Sequence, residues 1–362
     1  MLKLKNLVEK GRNEFWIRFR DKERLKHELT YLFWEATLNC NFYCKHCGSK
    51  AGRRVFKNEL ATKEIKKTFL EISEDFDTKK ITIAVTGGEP LLRKDIFEVM
   101  GYAYDLGFSW GMVTNGSLVN KGIVDKMKDA GMKSVVVSID GLEKTHDQFR
   151  NFNGSYQKAL NAVKMLSEGK FLTWNQITTT VHSGNIDELE EMHEIFTKTG
   201  INSWRVMKVD PIGRAELDKK ILLNNKQLKE LLDFIKEKRR KSKIDITYGC
   251  DGYLGQEYEG LVRNNLFFCL TGINIGSILH NGDIFVCPNV PRRKELMQGN
   301  IRKDRFSDVW NNKFQIFRDK DRTWCEKCSK CQFWEQCLGG SFHLWDFERR
   351  EPKMCHLEFI KN

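Results

Sequence analysis

Between residues 31 and 245, short apolar runs rich in β-branched and aromatic residues alternate with segments of helical period. No other feature of the chain restricts its fold as strongly. The strand-like runs are YLFWEAT (31–37), ITIAVTG (81–87), WGMVTNG (110–116), KSVVVSID (133–140), WNQITTTVH (174–182) and SWRVMKVD (203–210). Helical patterns lie near 62–75, 95–107, 119–131, 155–169 and 187–199, and a further one follows from 222. Strands that are apolar throughout must be covered on both faces, which predicts a parallel sheet flanked by helices. Six such units point to a barrel or an incomplete one, with a doubly wound sheet as the alternative.

After about residue 245 the alternation stops. Aromatics, glycines and eight of the 11 cysteines crowd the remainder. GSILHNGDIFVCP reads as a hairpin turning at Asn281–Gly282. A boundary is therefore expected near 240–250. It divides the chain into a basic, helical N-terminal extension (1–30), a barrel (31–245) and a tail (246–362). The tail is too irregular to rest on apolar burial alone, so metal is expected to hold it together.

The basic N-terminus lacks the apolar stretch of a signal peptide. The longest apolar run, at 265–279, is too short and glycine-broken to span a bilayer. A cytoplasmic location is expected, where clustered thiols bind metal more often than they form disulfides. The net charge of +12 offsets anionic metal–thiolate centres, or offers a basic groove to an acidic peptide. No nucleic-acid motif is present, so nucleic acid is not expected as a partner.

Three cysteines fall within EATLNCNFYCKHCGSK (35–50): Cys40, Cys44 and Cys47, spaced C-x3-C-x2-C. They follow the first strand, at the end that carries active sites in α/β barrels. Three thiolates can hold three irons of a [4Fe–4S] cluster and leave the fourth open to a non-protein ligand. A zinc loop borrowing a distant fourth ligand is the alternative from spacing alone. VTGGEPLLR (85–93) ends the second strand in Thr86-Gly87-Gly88-Glu89. There, paired glycines allow backbone carbonyls close to a bound amine, and Glu89 can neutralise it. VSIDG places Ser138 and Asp140 at the end of the fourth strand, and Arg150 follows.

In order and spacing these motifs resemble the radical SAM superfamily. The resemblance implies a partial (β/α)6 barrel with a [4Fe–4S] cluster on Cys40, Cys44 and Cys47. The open iron would be chelated by S-adenosylmethionine, whose reductive cleavage gives a 5′-deoxyadenosyl radical. It implies that Gly87, Gly88 and Glu89 hold the methionyl amine. Ser138 and Arg150 would hold ribose or carboxylate, with Asp140 shaping the turn. A flavodoxin- or ferredoxin-type reductant is implied as partner.

The tail runs Cys250, Cys269-x12-Gly282-x4-Cys287, then CEKCSKCQFWEQC with Cys325, Cys328, Cys331 and Cys337, and last Cys355. It resembles the SPASM extension of radical SAM maturases, with one departure: Ser341 stands where the pattern has a cysteine. The resemblance implies two auxiliary [4Fe–4S] clusters, three clusters in all. Cys328, Cys331, Cys337 and Cys355 would form the outer one. Counting leaves Cys250, Cys269, Cys287 and Cys325 for the inner one. An open inner cluster with Cys325 free, or with His343 as ligand, is the alternative, and a zinc ribbon also fits C-x2-C pairs.

SPASM relatives mostly modify peptides, but fold does not choose the reaction. In the sulfatase-maturase group an aspartate base follows the last cysteine of the first SPASM part; here that position is Pro288, which argues against that branch. Other candidate bases are Asp210, Tyr253 and Glu257. Only 30 residues precede the first strand, so leader recognition is expected from a separate protein or from the basic surface. The expected activity is an oxidative crosslink in a ribosomally made peptide. The runners-up are epimerisation with Cys325 or Cys250 as hydrogen donor, small-molecule dehydrogenation, and a zinc-binding scaffold without enzymatic activity.

Overall fold

The computed structural model describes residues 2–53, 56, 58–249 and 251–361. Helix α1 (Leu2–Lys26) precedes the repeating unit. Six parallel strands follow: β1 (Tyr31–Thr37), β2 (Thr82–Gly87), β3 (Ser109–Thr114), β4 (Ser134–Ser138), β5 (Trp174–Val181) and β6 (Ser203–Lys208). Between and after them run α2 (Thr62–Asp75), α3 (Ile96–Asp105), α4 (Lys121–Asp129), α5 (Glu143–Arg150), α6 (Ser155–Glu168), α7 (Leu189–Phe196) and α8 (Asn225–Lys241). Each helix contributes an apolar stripe: α6 buries Tyr156, Ala159, Val163 and Leu166, at helical spacing along one face. The open barrel is thus the one the alternation predicts.

The sheet does not end where the alternation does. A seventh strand, β7 (Asp245–Tyr248), adds parallel to β6. From the tail, β8 (Ile275–Ile278) pairs parallel with β1 at the opposite edge. The expected hairpin extends the sheet outward through β9 (Asp283–Phe285) and β10 (Gly299–Asn300). The full order is β10-β9-β8-β1-β2-β3-β4-β5-β6-β7. Pairing β8 to β1 covers a backbone edge that would otherwise be open. The tail also carries apolar core of its own. Phe285, Phe306, Trp310, Phe314 and Phe317 are buried in the same continuous cluster as the barrel side chains, so metal is not the tail's sole support. No helix among the described residues is long and apolar enough to cross a membrane.

Gly87 and Gly88 set the geometry at the strand ends. Gly87 has φ +134°, and a Cβ there would lie 2.1 Å from the Thr37 carbonyl; one on Gly88 would lie 2.1 Å from that of Asn39. Gly88 and Glu89 donate their N–H groups to those two carbonyls, at 2.7 and 2.9 Å. The glycines therefore admit the backbone that leads into Cys40.

Candidate active site

The carboxyl ends of the parallel strands surround a cavity of about 290 Å³, and Cys40, Cys44 and Cys47 all line it. Cys40 and Cys44 are buried, Cys47 is half-buried, and none forms a disulfide. Cys40 Sγ accepts the Phe42 N–H at 3.4 Å, and Arg150 Nη1 lies 3.9 Å from Cys44 Sγ. Donors aimed at sulfur favour thiolates, the state that iron requires. Without metal, burial pushes the Cys40 thiol up to about 12. Three convergent, unpaired thiols with N–H donors thus fit the three-ligand cluster.

Sequence reasoning missed the clamp on this loop. Arg214 donates through Nε to the Cys44 carbonyl at 2.7 Å and through Nη1 to that of Ala51 at 2.8 Å. Its own N–H meets the Cys47 carbonyl at 3.1 Å. Nothing in its local sequence marks it, because the partners lie up to 170 residues away.

The remaining predicted residues split between the wall and the ground behind it. Thr86, Gly87, Gly88, Ser138, Arg150 and Asp210 line the cavity. Glu89 is fully buried behind the wall. Its Oε1 accepts from the Thr114 hydroxyl (2.7 Å) and Leu91 N–H (3.3 Å), and its Oε2 from Asn115 N–H (2.8 Å). Burial pushes its carboxyl up against those hydrogen bonds. Asp140 is equally buried: Oδ2 accepts Arg150 Nε at 2.6 Å and Oδ1 accepts Thr180 N–H at 2.7 Å. Burial alone would raise the Asp140 carboxyl, but Arg150, together with His46, His146 and the Thr180 N–H, holds it below the usual range. Asp140 therefore aims Arg150 at the thiols rather than merely shaping a turn.

Of the three candidate bases, Asp210 alone lines this cavity. Tyr253 lines a second cavity and Glu257 is exposed. Asp210 Oδ1 is salt-bridged to Lys208 Nζ, and Oδ2 lies 3.1 Å from His343 Nε2. Burial would raise the Asp210 carboxyl, but Lys208 and His343 together hold it well below the usual range. His343, weighed as an iron ligand, directs its Nε2 at Asp210.

The second cavity, about 210 Å³, is lined by Cys328, Cys331, Cys337 and Cys355, the four thiols expected to form the outer cluster. Burial pushes the Cys337 thiol up to about 12. Four thiols with no disulfide among them suit a fully ligated [4Fe–4S] site. Ser341 also lines this cavity. The residues counted for the inner cluster are not gathered in the same way. Cys250 lies outside the described residues. Cys269 and Cys287 pack on the main core. Cys325 sits beside Cys328, whose thiol is raised by burial and by its hydrogen bond with Cys325. Only Glu326 and Lys327 separate Cys325 from Cys328, and the short helix Glu326–Ser329 sets it beside the outer thiols rather than apart from them. Cys325→Ala should accordingly keep the iron content of the reconstituted protein, whereas Cys331→Ala should lose about one cluster's worth. Iron loss from Cys325→Ala, measured per chain, would return Cys325 to the inner set.

Comparison with known proteins agrees with this geometry. Residues 34–196 match the radical SAM superfamily, and residues 269–332 match SPASM, an iron–sulfur cluster-binding domain. The chain is 29% identical over 344 residues to the AdoMet-dependent heme synthase of Methanosarcina barkeri, covering 88% of this chain and 94% of that protein. It is 27% identical to the mycofactocin maturase MftC of Mycolicibacterium smegmatis, covering 85% and 77%. Among solved structures, anSMEcpe with bound AdoMet superposes with a TM-score of 0.70 at 19% identity, covering 92% of this chain and 94% of that one. Streptococcus suis SuiB bound to S-adenosylmethionine superposes at 0.69 with 17% identity, covering 87% and 73%.

Proposed function

We propose that this chain, which belongs to the radical SAM superfamily and carries a SPASM domain, oxidises a ribosomally made peptide and leaves a crosslink in it. When bound, the cluster and S-adenosylmethionine supply a radical that takes a hydrogen atom from substrate. Cys40, Cys44 and Cys47 would hold the cluster. Gly87, Gly88, Ser138 and Arg150 would hold the cosubstrate, with Glu89 and Asp140 fixing them from behind.

One observation carries the oxidative reading: Asp251 lines both the three-thiol and the four-thiol cavity. Hydrogen abstraction removes only one electron, and an oxidation must deliver a second to an acceptor nearby. The shared wall supports the four-thiol site in that role. Epimerisation needs a thiol hydrogen donor at the radical's cavity. Of the two candidate donors, Cys325, beside Cys328, does not line it, and Cys250 lies outside the described residues. Peptide as substrate class is supported by the relative named a mycofactocin maturase and by the fold shared with SuiB bound to its precursor peptide SuiA. A porphyrin is the second reading, favoured by relatives named heme synthases that match along most of their length. A flavodoxin- or ferredoxin-type reductant and a separate leader-binding protein would complete the system.

The test is turnover of the anaerobically reconstituted protein with S-adenosylmethionine, a reductant and the peptides encoded beside its gene. The expected product lacks two hydrogens per crosslink, with one 5′-deoxyadenosine formed for each. Unchanged peptides alongside a consumed iron porphyrin would replace this reading with the second.

A further inference from the structure

Completing a crosslink requires a proton acceptor as well as an electron acceptor. The aspartate used in the sulfatase-maturase group is absent, since Pro288 occupies its position. We infer that His343, oriented by Asp210, is the base that accepts this proton; the inference rests on the oxidative reading above. His343 and Asp210 both line the cavity that holds the three thiols. His343 is 6% exposed and its Nε2 lies 3.1 Å from Asp210 Oδ2. A carboxylate can only accept, so Nε2 carries the hydrogen, and the lone pair with which the ring can act as a base is on Nδ1. Lys208, salt-bridged to the other Asp210 oxygen, keeps that carboxylate ionised and in place.

Chain position supplies the second argument. Ser341 lines the four-thiol cavity and His343, two residues on, lines the three-thiol cavity. The base therefore stands on the partition between the two. In the step assigned to it, a substrate carbon radical and a nucleophile X–H form the new C–X bond. The X–H bond breaks, its proton passes to His343 Nδ1, and one electron would pass to the cluster that Cys328, Cys331, Cys337 and Cys355 would hold. One bond forms, one proton and one electron depart, and no further oxidant is needed. Asp210 is a positioning residue in this scheme: it fixes the tautomer.

The test compares wild type, His343→Gln, His343→Ala and Asp210→Asn on the peptide substrate. Hydrogen abstraction precedes the base, so 5′-deoxyadenosine should still form in every variant. Crosslinked product per 5′-deoxyadenosine should fall about 10²-fold or more in both His343 variants, the usual contribution of a general base. Added imidazole should restore part of it in His343→Ala. Asp210→Asn should lower the ratio too, because an amide N–H would hold the wrong tautomer. Two readouts are independent of turnover: freeze-quenched samples of the His343 variants should accumulate a carbon-radical signal, and their affinity for S-adenosylmethionine and iron content should match wild type. An unchanged product ratio, or a parallel loss of product and 5′-deoxyadenosine together with S-adenosylmethionine binding, would overturn the assignment. Absence of peptide product from wild type itself would overturn the oxidative reading, and the inference with it.

Discussion

Replacing Cys40, Cys44 and Cys47 together by alanine is expected to abolish reductive cleavage of S-adenosylmethionine while iron remains bound at Cys328, Cys331, Cys337 and Cys355. The two thiol sets line separate cavities, so removing one leaves the ligands of the other intact. The loop itself should survive. Arg214 holds its backbone at Cys44, Cys47 and Ala51, and none of those bonds uses a cysteine side chain. The expected triple variant is a folded protein with less iron and no 5′-deoxyadenosine by chromatography. Persistent 5′-deoxyadenosine would move the cleavage site away from this loop.

The second large effect is expected from Arg150→Met. The substitution keeps most of the side-chain volume but leaves Asp140 fully buried without its partner. Breaking a buried ion pair from one side costs about 3–5 kcal/mol, which should appear as a lower denaturation midpoint. Removing both charges, in Arg150→Met with Asp140→Asn, should recover much of that loss. The sign with pH is defined. In wild type the Asp140 carboxyl is held low, so its contribution is complete above the ordinary carboxylate range and fades as pH falls through and below it. In Arg150→Met, burial is opposed only by His46, His146 and the Thr180 N–H, and that carboxyl rises. The variant's deficit should therefore be greatest near neutral pH and shrink on acidification. A deficit independent of pH would mean that Asp140 is not the group left uncompensated. Affinity for S-adenosylmethionine, measured by equilibrium dialysis, should fall as well, since Arg150 lines the cavity and faces Cys44.

What the chain's sequence determines by itself is whatever depends on neighbours a few residues apart. Apolar runs and helical stripes locate six strands and, apart from α5, the helices between them to within a few residues. C-x3-C-x2-C brings three thiols onto one loop because seven residues of chain cannot spread them far. Cys328, Cys331 and Cys337 are likewise confined by short spacing. Tertiary structure alone decides the contacts that need the chain to return on itself. His343 meets Asp210 across 133 residues, and Arg214 reaches Cys44 across 170. β8 is the first arm of the hairpin the local sequence announces, but its pairing with β1 needs the unpaired edge that β1 offers it. Glu89 and Asp140 carry the same lesson. Their motif places them at strand ends, but burial and the donors packed around them decide that they anchor the wall from behind rather than line it. Charge, spacing and periodicity are properties of the local chain. Desolvation and the identity of a distant partner exist only once the chain has closed around them.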